Sequence, residues 1–338
     1  MDPVTQGVFG TLFAEAGARR AQIRPAAAVG FVAGMSPDLD VLIRSADDPL
    51  LAIEYHRHFT HAFATVPFIA LAVALMAWWP IQRWWPRVKF ARVYLWSLLG
   101  AASHGLLDAA TSYGTRLYWP FDDTRVAWNA ISVIDPLFSV PLALLLAAGI
   151  AIGNRRMLRI AGIWAAFYLA LGFVQQHRAE SVVRDWAAER ELAAERVLAK
   201  PSFANLVLWR GLVDDGATLR AVAVRILPGT PGMVWPGASV PRWDSADAPP
   251  ESTLARDLER FRHFSGDWLF RYRKYDDGDV FIGDFRYAID PASPRPLWGI
   301  RFDPDQPGEH VDFDRPARVT EAERDAFFDR LLGRDHGR

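Results

Sequence analysis

Residues 62–79 read AFATVPFIALAVALMAWW, a run without a charged side chain that ends in a tryptophan pair. Coiled as an α-helix, such a run reaches about 27 Å, close to the ~30 Å hydrocarbon core of a bilayer. The alternative, a core helix of a soluble protein, is opposed by Trp78, Trp79, Trp84, Trp85 and Trp96, which are expected to form a belt at the interface between lipid and water. Working outward, three more apolar runs follow. Residues 93–107 carry His104 as the group that titrates near neutrality, residues 133–152 carry Asp135 near their start, and residues 160–174 carry no charge. Residues 4–18 and 25–35 are shorter, and they are expected to form a short or re-entrant helical pair packed inside the bundle. The predicted fold class is an α-helical membrane bundle with a C-terminal α+β extramembrane domain, mostly antiparallel β. The expected division is residues 1–176 and 177–338.

Charge supports that division. The second part holds 24 of the 38 Lys and Arg residues. The formal net charge of −1 leaves no basic excess of the kind that nucleic acid attracts. Cysteine is absent, so a metal would have to be held by His, Asp, Glu or main-chain oxygen. The first residues lack a basic stretch and include Asp2 and Glu15, so removal by a signal peptidase is not expected. Segments 19–24, 83–92 and 155–159 contain ten Lys/Arg and no acid, whereas segments 37–61 and 108–130 contain four Arg against eight acids. The positive-inside rule then places the basic segments in the cytoplasm. The protein is expected in the bacterial inner membrane, multi-pass, with its C-terminal domain periplasmic.

Beyond the last apolar run, residues 177–199 are rich in helix formers with Arg and Glu at helical spacing and predict a charged helix. The pattern then turns to strand over 206–213, 218–226, 268–275, 280–287 and 297–302, with Asp-Asp-Gly turns at 214–216 and 276–278. Residues 240–250 read as a Pro-rich loop and 320–332 as a last short helix. His263, His310 and His336 stand without a partner at ligand spacing and read as surface residues.

Chemistry concentrates between Asp38 and Asp108. Ser36-Pro37-Asp38-Leu39-Asp40 closes one apolar segment, and His56-Arg57-His58-Phe59-Thr60-His61 precedes the charge-free run. His104 and Asp108, four apart, share one helical face. Imidazole and carboxylate together suit Zn²⁺, or Mn²⁺ as the alternative, and an Asp-x-Asp pair can bridge two ions. The charge-based topology brings all three motifs to one face of the bundle, although it was drawn from Arg and Lys alone. Asp38, Asp40, His56, His61, His104 and Asp108 are the candidate ligands for one or more ions. Other roles stay open for some of these groups. Asp38 can cap a helix, the repeated histidines can meet headgroup phosphate, and His58 is the weakest member. Asp135 fits an N-cap or a group supporting the ligands. Arg116 can hold a phosphate oxygen or pair with Asp122.

At these motifs the chain resembles the YdjM-type family, described as LexA-regulated, membrane-bound, metal-dependent hydrolases. The resemblance rests on Met1-Asp2-Pro3-Val4-Thr5, Pro37-Asp38-Leu39-Asp40, HRHFTH at 56–61 and His104-Gly105-Leu106-Leu107-Asp108. It continues through TSYGTRLYWP at 111–120, Ile134-Asp135-Pro136-Leu137-Phe138, and the tail's Pro201–Asn205 and Leu208-Trp209-Arg210. The family's ligand pattern is similar to that of zinc-dependent phospholipase C and the zinc nucleases, which implies phosphoester hydrolysis at a multinuclear zinc site. One departure stands out: Thr5-Gln6-Gly7 has Gln where the family has His. Gln6 then weakens one metal position, binds through its amide oxygen, or marks a member without activity. The resulting expectation is a hydrolase in which metal activates water, Arg57 or Arg116 offsets charge on a phosphoryl oxygen, and the substrate is a lipid or lipid-linked phosphoester. Two other classes compete: a non-catalytic metal-binding or transport protein, and a membrane scaffold whose β domain does the binding. The oligomeric state is not legible.

Overall fold

The computed structural model describes residues 1–227, 229–244, 248–316 and 319–334. The chain forms two compact units: Met1–Leu42 with Tyr55–Val174 and Phe203–Asn205, and Ile43–Glu54 with Gln175–Ser202 and Leu206–Arg338.

The first unit is helical. Helix α1 (Pro3–Ala16) starts where the Asp2 side chain accepts from the Thr5 amide and Pro3 presets the first turn. Helix α2 (Ile23–Met35) packs against it through small residues. A Cβ on Gly10 would fall 2.4 Å from the Gly30 carbonyl oxygen, and one on Gly34 would fall 2.4 Å from that of Gln6. Such backbone proximity is how helices associate where no water drives them together. After α2, the 3-10 turn Ser36–Leu42 and the short α3 (Leu51–Tyr55) lead to a second 3-10 turn, Phe59–His61. Helix α4 (Val66–Trp84) follows, then α5 (Phe90–Ala110), α6 (Pro136–Ile152) and α7 (Arg155–Ala188). By length and apolarity α4 and α7 qualify to cross a membrane, and α6 is apolar but shorter. Helix α5 is long enough, but its buried residues include Ser97, Ser103, His104 and Asp108, which lower its apolarity.

The basic segments meet at one end of these helices. Arg155 donates to the Ala18 carbonyl at 3.0 Å, Arg92 to Gly17 at 3.2 Å and Arg24 to Ala151 at 3.4 Å. The opposite end holds the start of α1, the ends of α2 and α5, and the 3-10 turns Ser36–Leu42 and Phe59–His61.

The second unit contains two antiparallel four-stranded sheets: β1 (Arg196–Pro201) to β4 (Met233–Pro241), and β5 (Leu269–Lys274) to β8 (Asp312–Asp314), each in sequential order. Leu212, Leu219, Ala221, Trp268, Phe270 and Phe285 form a shared core between them. Three expectations change here. The charged helix over 177–199 is no separate element, because α7 continues to Ala188 and Leu198 pairs with Leu212 in a strand. Ladder pairing outweighs a weak intrinsic helix preference. The expected loop over 240–250 begins inside β4, and residues 245–247 lie outside the described residues. Helix α8 (Thr253–Ser265) was not anticipated, although Ser252 caps it and Leu254, Leu258 and Phe261 recur along its buried face. The terminal helix is present as α9 (Glu321–Leu332), with a Thr320/Glu323 capping box.

Candidate metal centre

The 3-10 turn Ser36–Leu42 buries Asp38 and Asp40 and exposes Leu39, Val41 and Leu42. Asp40 organises the loop that carries the histidines. Its Oδ2 accepts from the Arg57 amide and the Thr60 hydroxyl, both at 2.9 Å, and lies 3.3 Å from His61 Nδ1. Its Oδ1 lies 2.9 Å from His56 Nδ1. Arg57, held at φ 60°, turns the chain so that successive residues face different partners. Gly105 permits the final approach, since a Cβ there would fall 2.7 Å from the His61 carbonyl oxygen.

His61 is thereby set against His104 and Asp108 of α5. His61 Nε2 lies 2.8 Å from His104 Nε2, 3.2 Å from Asp108 Oδ2 and 3.5 Å from Asp38 Oδ1. His104 Nε2 lies 3.4 Å from Asp38 Oδ1 and 3.6 Å from Asp108 Oδ2. A tetrahedral ion with bonds of about 2.0–2.2 Å separates its ligands by about 3.3–3.6 Å. Four of these five distances fall at or within a tenth of an ångström of that range.

The hydrogen-bond partners of the rings strengthen the match. His104 Nδ1 faces the Gly34 carbonyl oxygen at 2.6 Å, which can only accept, so Nδ1 carries the hydrogen. His61 Nδ1 lies 2.9 Å from the Thr60 hydroxyl, which itself donates to Asp40 and so accepts from the ring, and the Asp40 carboxylate stands 3.3 Å away. With Nδ1 carrying the hydrogen, each ring would turn an Nε2 lone pair towards a bound ion. The two Nε2 atoms converge with Asp38 Oδ1 and Asp108 Oδ2 in a buried space, where Asp108 Oδ2 accepts no hydrogen bond although Arg57 Nε lies 3.0 Å away. A divalent cation would fit that arrangement, and the outer contacts of both rings are of the kind that orient metal-binding histidines.

Asp38, Asp40 and His56 form a second group of close ligand atoms, which shares Asp38 with the first. Burial alone would raise the Asp38 and Asp40 carboxyls. The His104 and His61 rings beside Asp38, and the His56 ring beside Asp40, hold both below the usual carboxylate range instead.

The remaining candidates take distinct positions. Arg57 is buried, with Nε 3.0 Å from Asp108 Oδ2 and Nη1 donating to Thr111 Oγ1. Arg116 donates to Asp123 at 2.7 Å, in place of the Asp122 partner envisaged from sequence. Neighbouring acids were indistinguishable by spacing. Asp135 is the N-cap of α6 and accepts from the Tyr168 hydroxyl at 2.9 Å. His58 packs against Tyr55, Phe59 and Trp119. His310 lies 2.8 Å from Asp257, so it has a partner that spacing did not show, and His336 lies outside the described residues. Gln6 has a role that its sequence position only hinted at. Its Nε2 donates to Asp108 Oδ1 at 2.7 Å, while its Oε1 stays unpartnered. The Met1 amino group also contacts Asp108 Oδ1.

A helical region with two helices apolar and long enough to cross a membrane, and a buried cluster of imidazoles and carboxylates, is compatible with a membrane protein that binds a metal ion. The model of the YdjM inner membrane protein family matches residues 1–179, and the chain belongs to that family. It is similar to the uncharacterized protein YfhP of Bacillus subtilis, 28% identical over 105 residues, which are 31% of this chain and 31% of YfhP. It is also similar to the inner membrane protein YbcI of Escherichia coli, 32% identical over 108 residues, which are 31% of this chain and 60% of YbcI. The matched stretch thus spans less than two thirds of either relative. No solved structure matches the chain.

Proposed function

We propose that this protein is a zinc-dependent phosphoesterase of the inner membrane, with its basic helix ends in the cytoplasm and its metal centre and β domain on the periplasmic side. The observation that carries the reading is the convergence of His61, His104, Asp38 and Asp108, whose imidazole–carboxylate distances of 3.2–3.6 Å suit a tetrahedral ion while the two Nε2 atoms stand closer, at 2.8 Å. These four would hold one ion, and Asp38, Asp40 and His56 would hold a second. Ions so placed supply Lewis acidity and a nucleophilic water at neutral pH. Asp40 keeps His61 and His56 oriented, and Gln6 steadies Asp108. Arg57 offsets charge developing on a phosphoryl oxygen, and Arg116 braces the same loop by donating its amide to the Arg57 carbonyl oxygen at 3.1 Å. The substrate is a lipid or lipid-linked phosphoester. Leu39, Val41 and Leu42 are exposed on the turn that carries Asp38 and Asp40, and Phe121 is 89% exposed in the loop after α5. Apolar side chains at that rim suit a substrate arriving from the lipid phase.

A second reading has an observation of its own. Four protein ligands close a tetrahedral site, and closed sites are characteristically structural. In that reading the protein binds metal without catalysis. Elemental analysis of the purified protein, beside His104→Ala and Asp108→Ala, tests the common premise. Zinc is expected in the wild type and absent from both variants, and full stoichiometry in both would overturn the site. Hydrolysis of phosphoesters in liposomes, lost in His56→Ala with the buried zinc retained, separates the catalytic reading from the structural one.

A further inference from the structure

A second feature lies at the basic end of the helices, away from the metal cluster. Helices α1 and α7 line a cleft of about 470 Å³, walled by Phe9, Leu12, Phe13, Leu158, Ala165 and Leu169. Glu15, Arg155 and Arg159 line it as well. Glu15 is 3% exposed, and neither of its carboxylate oxygens has a hydrogen-bond partner. An acid without a hydrogen-bond partner in apolar surroundings is costly even with Arg155 acting on its charge, and such a group calls for a ligand. Arg155 and Arg159 are exposed at the N-terminal start of α7. Phe9 precedes Glu15 by six residues on α1, about 9 Å along the axis, so the cleft has a charged end and an apolar body.

We infer that this cleft is a binding site for a phospholipid whose headgroup carries both a phosphate and a primary ammonium. The ammonium pairs with Glu15, the phosphate with Arg155 and Arg159, and an acyl chain lies along the phenylalanine and leucine wall. A purely anionic lipid satisfies the arginines but sets its charge beside Glu15. Only the zwitterion matches both signs in this order. The inference is independent of the metal centre.

The test uses the full chain reconstituted in nanodiscs of equimolar phosphatidylethanolamine and phosphatidylglycerol. The protein is then extracted into mild detergent, and its retained lipid is measured by native mass spectrometry. Wild type is expected to keep phosphatidylethanolamine over phosphatidylglycerol by about tenfold, the preference one buried charge-assisted contact confers. Glu15→Gln should bring the ratio near unity, and Arg159→Ala, at an exposed position where folding is not at stake, should lower retention of both lipids. Equal retention by the wild type, an unchanged ratio in Glu15→Gln, or unaltered retention in Arg159→Ala would each overturn the site.

Discussion

Replacing Gly105 by alanine adds one methyl group and removes no ligand, yet it should weaken zinc binding at the proposed metal centre. The new Cβ would fall 2.7 Å from the His61 carbonyl oxygen and 3.0 Å from Leu117 Cδ2. Ordinary contact begins near 3.4 Å, so relieving the first clash requires about 0.7 Å of movement between α5 and the turn bearing His61. Ligand distances tolerate only about 0.2 Å, so that movement takes His61 Nε2 out of range of an ion held by His104 and Asp108. Overpacking of this kind costs about 1–3 kcal/mol, and its expression in zinc affinity is a loss of about 10-fold to 100-fold. The assay is competitive zinc titration of the purified protein with a chromophoric chelator. Gly162→Ala is the control, because its Cβ would meet only Leu12 at 3.7 Å. Wild-type affinity in Gly105→Ala would refute the argument that these two elements are pressed together to form the site.

Asp40→Asn should retain the four-ligand ion but bind it about 10-fold to 100-fold more weakly, since the carboxylate that orients His61 and His56 is lost; the same titration measures it. Lys200 is buried, its ammonium 3.8 Å from the Tyr287 ring centroid, and burial with help from nearby Arg286 and Arg210 pushes its pKa well below the usual lysine value. A lysine whose folded pKa is depressed costs stability below its unfolded pKa, and the cost fades as pH rises through the interval between the folded and unfolded values. Lys200→Met should therefore raise the melting temperature of the β domain at neutral pH, with the advantage shrinking towards about pH 10.4. Thermal melts across that range check the slope, and a gap that widens with pH would contradict it.

Features set by near neighbours were legible in the chain itself. The charge-free run at 62–79 reads as the helix that became α4, and the four-residue spacing of His104 and Asp108 puts them on one face whatever surrounds them. Strands β2, β3, β5, β6 and β7 announce themselves through β-rich runs and Asp-Asp-Gly turns, whereas β4 and β8 carry no such signal and β1 reads as helix. Where local and distant preferences conflict, the local reading gave way. Residues 196–199 favour helix by composition, but their hydrogen bonds go to β2. The Ser252 cap and apolar spacing of α8 were present in the chain, yet they sit beside a Pro-rich stretch that reads as loop.

The sequence by itself determined the inventory: which helices are apolar, which residues can ligate, and that no thiolate is among them. Only the tertiary structure decided how they divide the work. His61 meets His104 across 43 residues and Gln6 meets Asp108 across 102. No periodicity encodes such distances, because they depend on glycines that let backbones touch and on a carboxylate, Asp40, that folds a loop around itself. Pattern within a segment follows from bonds along the chain, whereas coordination follows from packing between segments.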